Sequence, residues 1–334
     1  MRRAGLLLFF LFFPLAAFAA GANGPTEPLG IDLEGFPYPY PVSFFPLEVN
    51  HHPVRMAFMD VAPKSTPNSR AVLLLHGRNF PASYWQPVID ALIGAGYRVI
   101  APDQIGFGKS SKPEGDWSFD RAAAETAELL DFLHIGKVDV VGHSMGGMLA
   151  VRFTRTFPER VQHLVLEAPL GLEDYRFYVP PVPESKLIAE EMARTEENYR
   201  HYLRTAYGTT LSDAALRPFI EIRERIKGSG DYPRWVEAFV ASYYAIWGQP
   251  TVHELPLVST PTLFLVGTRD HTAPGRAYAK PEDQPRMGHI VELAHAASAR
   301  MAHAQVMEFD TGHLVHLEAP EAFNRALLRF LETP

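Results

Sequence analysis

Gly142-His143-Ser144-Met145-Gly146 is the segment that most restricts how this chain can fold. It stands between a short apolar run, Val138 to Val141, and a segment of helical spacing, Met145 to Phe157, closed by Pro158. A strand that enters a helix through so tight a turn needs small residues on either side. Gly142 and Gly146 supply them, and Gly147 extends the permissive stretch. The serine at the centre is held in a strained backbone conformation. Its hydroxyl projects above the sheet edge at a helix N-terminus, where developing negative charge is favoured. Strand, turn and helix in this order are the repeating unit of a mostly parallel sheet.

The same rhythm runs through much of the chain. Val54 to Val61, Ala71 to Leu75, Tyr97 to Ala101, Val161 to Leu166, Thr262 to Val266 and Val306 to Phe309 read as strands. Tyr84 to Ala95, Phe119 to Leu133 and about Pro320 to Leu331 read as helices. From Leu172 to Gln249 the rhythm changes to helical segments rich in Tyr and Trp, with no good strand. The expected organisation is a core at 42–171 and 250–334, an inserted helical cap at 172–249, and an extended Pro-, Gly- and Tyr-rich arm at 21–41. Most of the cap aromatics are expected in its own core, with some walling a pocket.

Residues 1–20 read as a secretory signal. Arg2 and Arg3 precede an apolar run, Leu6 to Phe18, interrupted only by Pro14, and small residues follow through Ala20 and Gly21. The run is short of the roughly 20 residues that a membrane span needs. The expectation is cleavage near Ala19 or Ala20, export to a periplasm or beyond, and no stable membrane association afterwards. A net charge of −7 offers no electrostatic footprint for nucleic acid, so the expected partner is a small-molecule substrate. The absence of cysteine excludes disulfides, thiolate metal sites and a Cys nucleophile.

A free serine is a poor nucleophile, so Ser144 needs a base, and the base needs an orienting carboxylate. Asp270 follows the strand Thr262 to Val266, and His313 follows Val306 to Phe309. Loops at the carboxyl ends of parallel strands gather on one rim, which brings both toward Ser144. His316 is the rival base and Glu167 the rival acid; Asp310 reads as a loop residue. The backbone N–H groups of Met145 and Arg78 are expected to form an oxyanion hole, with Asn79 as the alternative second donor. The Arg78 side chain reads either as a surface or structural group or as a fork for a substrate carboxylate. Asn79, His143 and Trp247 are the candidate substrate-binding residues, although His143 also suits packing beside the nucleophile. His51-His52 reads as a hairpin turn. His289, His295 and His303 lie on an expected helix at spacings that do not suit a zinc helix, and no metal site is expected.

His76-Gly77, the stretch Asp103-Gln104-Ile105-Gly106-Phe107-Gly108-Lys109-Ser110, Gly142 to Gly146, Asp270, and Gly312-His313 followed by Glu318-Ala319-Pro320 together resemble the α/β-hydrolase superfamily. The resemblance is to serine hydrolases with a helical cap and covers about residues 42–332. It implies the α/β-hydrolase fold, a mostly parallel central sheet with an inserted cap. It also implies a Ser144, His313 and Asp270 triad, an oxyanion hole at Met145 and Arg78, no cofactor, and cleavage of a small-molecule carboxylic ester through an acyl-enzyme. Amide cleavage as in proline iminopeptidases, carbon–carbon cleavage, and a non-enzymatic ligand carrier on the same scaffold stay open beside it. Serine at the nucleophile position differs from the carboxylate of epoxide hydrolases and haloalkane dehalogenases. Arg78-Asn79-Phe80-Pro81 replaces the Gly-rich run of lipases and of carbon–carbon hydrolases. Segment 271–303 is expected to add a lid element, and Glu318 and Pro320 to start the last helix.

Overall fold

The computed structural model describes residues 27–333. The expected signal and the start of the arm lie outside the described residues. Eight strands form one sheet: β1 (Val42–Val49), β2 (His52–Val61), β3 (Ala71–Leu75), β4 (Arg98–Pro102), β5 (Val138–His143), β6 (Val161–Glu167), β7 (Thr262–Gly267) and β8 (Ala304–Phe309). Their order across the sheet is β1-β2-β4-β3-β5-β6-β7-β8. β2 runs antiparallel to both of its neighbours, and β3 to β8 pair in parallel with β4. Every residue of β3, β5 and β7 is buried, as expected for strands covered on both faces.

Helices α1 (Gln86–Gly94), α2 (Phe119–Phe132) and α3 (Met145–Thr156) follow β3, β4 and β5. Four cap helices stand between β6 and β7: α4 (Glu184–Met192), α5 (Glu196–Thr205), α6 (Asp213–Lys227) and α7 (Tyr232–Gly248). α8 (Ile290–Ser298), the short α9 (Val315–Glu318) and α10 (Pro320–Leu331) complete the chain. Apolar faces of α2, α3 and α8 pack on one side of the sheet, and those of α1 and α10 on the other. This is the sandwiched sheet with an inserted cap that the resemblance implied.

The sequence reading missed β1. Pro46 sits in its middle, opposite Arg55, and proline is tolerated there because β1 is an edge strand. The turn of this hairpin rests on Asn50 and His51, both at positive φ, and His52 already belongs to β2, which corrects the expected His51-His52 turn. The arm is more than a spacer. Leu29, Ile31 and Leu33 are buried against Ile222, Ile226 and Val236 of the cap. The Tyr38 hydroxyl donates to Asp103 of the core at 2.6 Å.

Candidate active site

Ser144 has φ 58° and ψ −119°, a conformation that costs a non-glycine residue energy and persists only where its surroundings enforce it. The enforcement is visible. A Cβ on Gly146 would stand 2.1 Å from the Leu75 carbonyl oxygen, and one on Gly142 would stand 2.3 Å from that of Gly146. The Ser144 N–H donates to Glu167 O at 3.0 Å, and Ser144 O accepts from Leu170 N at 3.1 Å. β3 and the end of β6 therefore clamp the turn from both sides.

Asp270 and His313 leave the adjacent ends of β7 and β8, where a Cβ on Gly267 would stand only 2.0 Å from Gly312 O. His313 Nδ1–H donates to Asp270 Oδ2 at 2.7 Å, and both side chains are buried. The other carboxylate oxygen accepts from the Thr272 N–H at 2.9 Å and from its hydroxyl at 2.6 Å. Thr272, two residues beyond Asp270, was missed, although an i to i+2 Asx contact is a local signal. With Nδ1 committed to Asp270, the remaining nitrogen, Nε2, is buried and makes no hydrogen bond among the described residues. Ser144 Oγ is thus not bonded to it in this state, as is common before substrate tightens a site.

A file of hydrogen bonds connects the loops. Gly77 N–H donates to the Tyr84 hydroxyl at 3.0 Å, that hydroxyl donates to His143 Nδ1 at 2.9 Å, and His143 Nε2–H donates to His313 O at 3.0 Å. Burial, with His313 and His316 nearby, holds the His143 imidazole well below its ordinary pKa, so it stays neutral and keeps this direction. His143 is fully buried and does not line the cavity, which corrects its placement among substrate-binding residues.

Met145 is the first residue of α3, and Arg78 follows Gly77, where a Cβ would stand 3.2 Å from Ser144 Cβ. Among the described residues, neither the Met145 nor the Arg78 N–H meets an acceptor. Such free donors close to Ser144 suit an anionic oxygen. The Asn79 side chain donates to the Tyr207 hydroxyl at 2.7 Å and lines the cavity.

The rival base and the rival acid are each other's partners. His316 Nδ1–H donates to Glu167 at 2.8 and 2.9 Å, and the His316 backbone N–H donates to the same carboxylate at 2.8 Å, all fully buried. Neither enters the cavity. Asp310 is exposed and pairs with Arg269. Glu318 does not open the last helix; it ends α9, and its carboxylate accepts from Gly312 N–H at 3.1 Å and Thr210 N–H at 3.0 Å, steadying the loop before His313. Pro320 is the residue that opens α10.

A cavity of about 760 Å³ lies between Ser144 and the cap. Tyr199, Tyr202, Tyr207 and Tyr243 line it, while Tyr232, Trp235 and Tyr244 pack within the cap. Trp247 is also outside the lining. Its indole N–H donates to Val179 O at 2.9 Å and its ring packs against the cap core, so the expected pocket role is corrected. Residues 271–278 form one wall, and α8 beyond them packs on β7 and β8. Among the described residues, no group of three or more His, Asp or Glu is placed to hold a metal ion.

Residues 72–326 match the alpha/beta hydrolase family, and the chain belongs to it. A probable hydrolytic enzyme of Pseudomonas aeruginosa PAO1, known from its crystal structure, is 38% identical with a TM-score of 0.89, over 92% of this chain and 99% of that one. A poly(3-hydroxyalkanoate) depolymerase of Ectopseudomonas oleovorans is 28% identical over 88% of this chain and 94% of its own. A 2-hydroxy-6-oxononadienedioate/2-hydroxy-6-oxononatrienedioate hydrolase of Burkholderia vietnamiensis is 31% identical over 79% of this chain and 87% of its own. The protein is an α/β-hydrolase-family enzyme.

Proposed function

We propose that this enzyme cleaves small-molecule carboxylic esters with Ser144 as nucleophile, His313 as base and Asp270 as orienting acid. The observation that carries the reading is the buried His313–Asp270 pair, which leaves Nε2 unpaired, taken together with the strained backbone of Ser144. In this mechanism Nε2 takes the Ser144 proton as Oγ attacks the ester carbonyl. The oxyanion forms against the Met145 and Arg78 N–H groups. The alcohol departs with the proton from His313. Water, deprotonated by His313, then cleaves the acyl-enzyme and regenerates Ser144.

The test is covalent labelling with a fluorophosphonate. The wild-type enzyme is expected to label and Ser144→Ala to stay unlabelled; an unlabelled wild-type enzyme overturns the reading. Carbon–carbon cleavage is the second reading, favoured by the 31% identity to the 2-hydroxy-6-oxononadienedioate hydrolase. Turnover of that compound faster than that of any ester in a panel would transfer the assignment. Export is a further part of the proposal, resting on the pattern in residues 1–20. The N-terminus of the exported protein is expected within two residues of Ala20, and an intact Met1 would refute cleavage.

A further inference from the structure

We propose that the cavity takes an acyl group ending in a carboxylate, and that the side chain of Arg78 holds that carboxylate. This rests on the ester reading of Ser144 and names the substrate class for it.

Arg78 belongs to the core loop, yet its side chain reaches the cap. Nε donates to Ser242 Oγ at 2.8 Å, Nη2 donates to Phe239 O at 2.6 Å, and the guanidinium carbon lies 3.6 Å from the Phe239 ring centre. Nη1 has no acceptor among the described residues, and no carboxylate of theirs lies within ion-pair distance of Arg78. Buried cations are ordinarily paired, because an unpaired charge is costly away from water. Arg78 is half-buried at the cavity wall and lacks such a partner, whereas the buried arginines among the described residues follow that rule. Arg223 pairs with Glu191, and Arg152 with Glu254 and Asp120.

The charged groups around Arg78 offer it no anion. Its electrostatic neighbours are Arg194 and the phenols of Tyr202, Tyr207 and Tyr243. The cavity's two carboxylates are already engaged. Glu191 receives Arg223 and Arg194, and Glu190 accepts from the Tyr278 hydroxyl with Lys186 at 3.9 Å. Arg276 adds a further cation to the wall. Burial pulls the Arg78 pKa down to about 10, which still leaves it charged at neutral pH. A cation fixed by two hydrogen bonds, with a planar edge left free and no anion to meet it, is a carboxylate receptor awaiting its ligand. It shares one cavity with the nucleophile, so the carboxylate and the scissile ester belong to one molecule.

The experiment compares p-nitrophenyl half-esters of succinate, glutarate and adipate with neutral p-nitrophenyl esters of matched length. The wild-type enzyme is expected to prefer at least one anionic ester. Arg78→Met is expected to lower the anionic-to-neutral ratio of kcat/KM by about 10- to 100-fold, the range for a charge-assisted hydrogen bond. Arg78→Lys keeps the charge without the fork and should restore part of the preference; it also serves if the Met variant misfolds. An unchanged ratio, with the neutral ester still cleaved, overturns the anion site and leaves the ester reading standing.

If no ester is cleaved, the ester reading is what has failed, and binding decides the site. Monomethyl glutarate is then titrated calorimetrically into Ser144→Ala and into Ser144→Ala/Arg78→Met. Binding that is lost with Arg78 sustains the site; equal binding, or none to either, removes it.

Discussion

Ser144→Ala is expected to lower kcat for a cleaved ester by about a million-fold, and His313→Ala by a similar factor. The double variant should be scarcely worse than either single one. The reason lies in the geometry. In the proposed mechanism His313 acts only by moving the Ser144 proton, so once either partner is gone the other has nothing left to do. The proposed oxyanion donors are backbone N–H groups of Met145 and Arg78, which both substitutions spare, so a residual rate above water should survive. Asp270→Asn should cost about ten-thousand-fold, because an amide in place of Oδ2 favours the wrong imidazole tautomer while the ring stays in place. Its other oxygen would still be held by Thr272. Burst and steady-state rates with an activated ester measure all four variants. Additive losses in the double variant would mean that Ser144 and His313 do not act as a unit.

Glu167→Ala is expected to destabilise the fold by about 3–5 kcal/mol, the cost of breaking a buried pair from one side. The substitution leaves the His316 N–H and Nδ1–H without an acceptor in a fully buried place walled by Trp85, whose ring centroid is 4.5 Å from the imidazole. Urea unfolding measures the loss. Glu167→Gln keeps one carbonyl oxygen for those donors and should lose less. The same two variants decide the chemistry. Glu167 braces α9 and so steadies the loop that carries His313. Folded Glu167→Gln enzyme should therefore retain far more activity than Asp270→Asn. A loss as deep as that of Asp270→Asn would make Glu167 the acid of the triad.

The strained turn at Ser144 and the pairing of His313 with Asp270 were legible in the sequence because each part carries a local signal. The Gly142 to Gly146 turn sits between a buried strand and a helix, and Asp270 and His313 each follow an apolar run. Parallel pairing then converts separate strand ends into one rim, so distance along the chain did not hide the pairing of Asp270 with His313. The misses have physical causes too. β1 was obscured by Pro46, which an edge strand tolerates, and by a burial pattern without clean alternation. Trp247 was misplaced because helical spacing does not reveal which part of a half-buried face meets a cavity and which meets a neighbouring carbonyl. Glu167 and His316 were weighed as rivals, since nothing local shows that residues 149 apart in sequence bond to each other. The unpaired state of Arg78 was beyond reach for the same reason: it depends on where every carboxylate of the cap ends up.

The hydrogen-bonded file through Tyr84 and His143 divides the enzyme into a chassis and an interchangeable body. The chassis holds the His313–Asp270 pair and the file beneath it without borrowing a side chain from α4 to α7. Among the places where the two parts touch are Tyr207, whose carbonyl receives the His313 N–H at 2.8 Å, and Arg78, whose backbone belongs to one and whose guanidinium reaches the other. New selectivity can accordingly be grafted by remodelling the helical insert while those joints are kept, with no retuning of the machinery underneath.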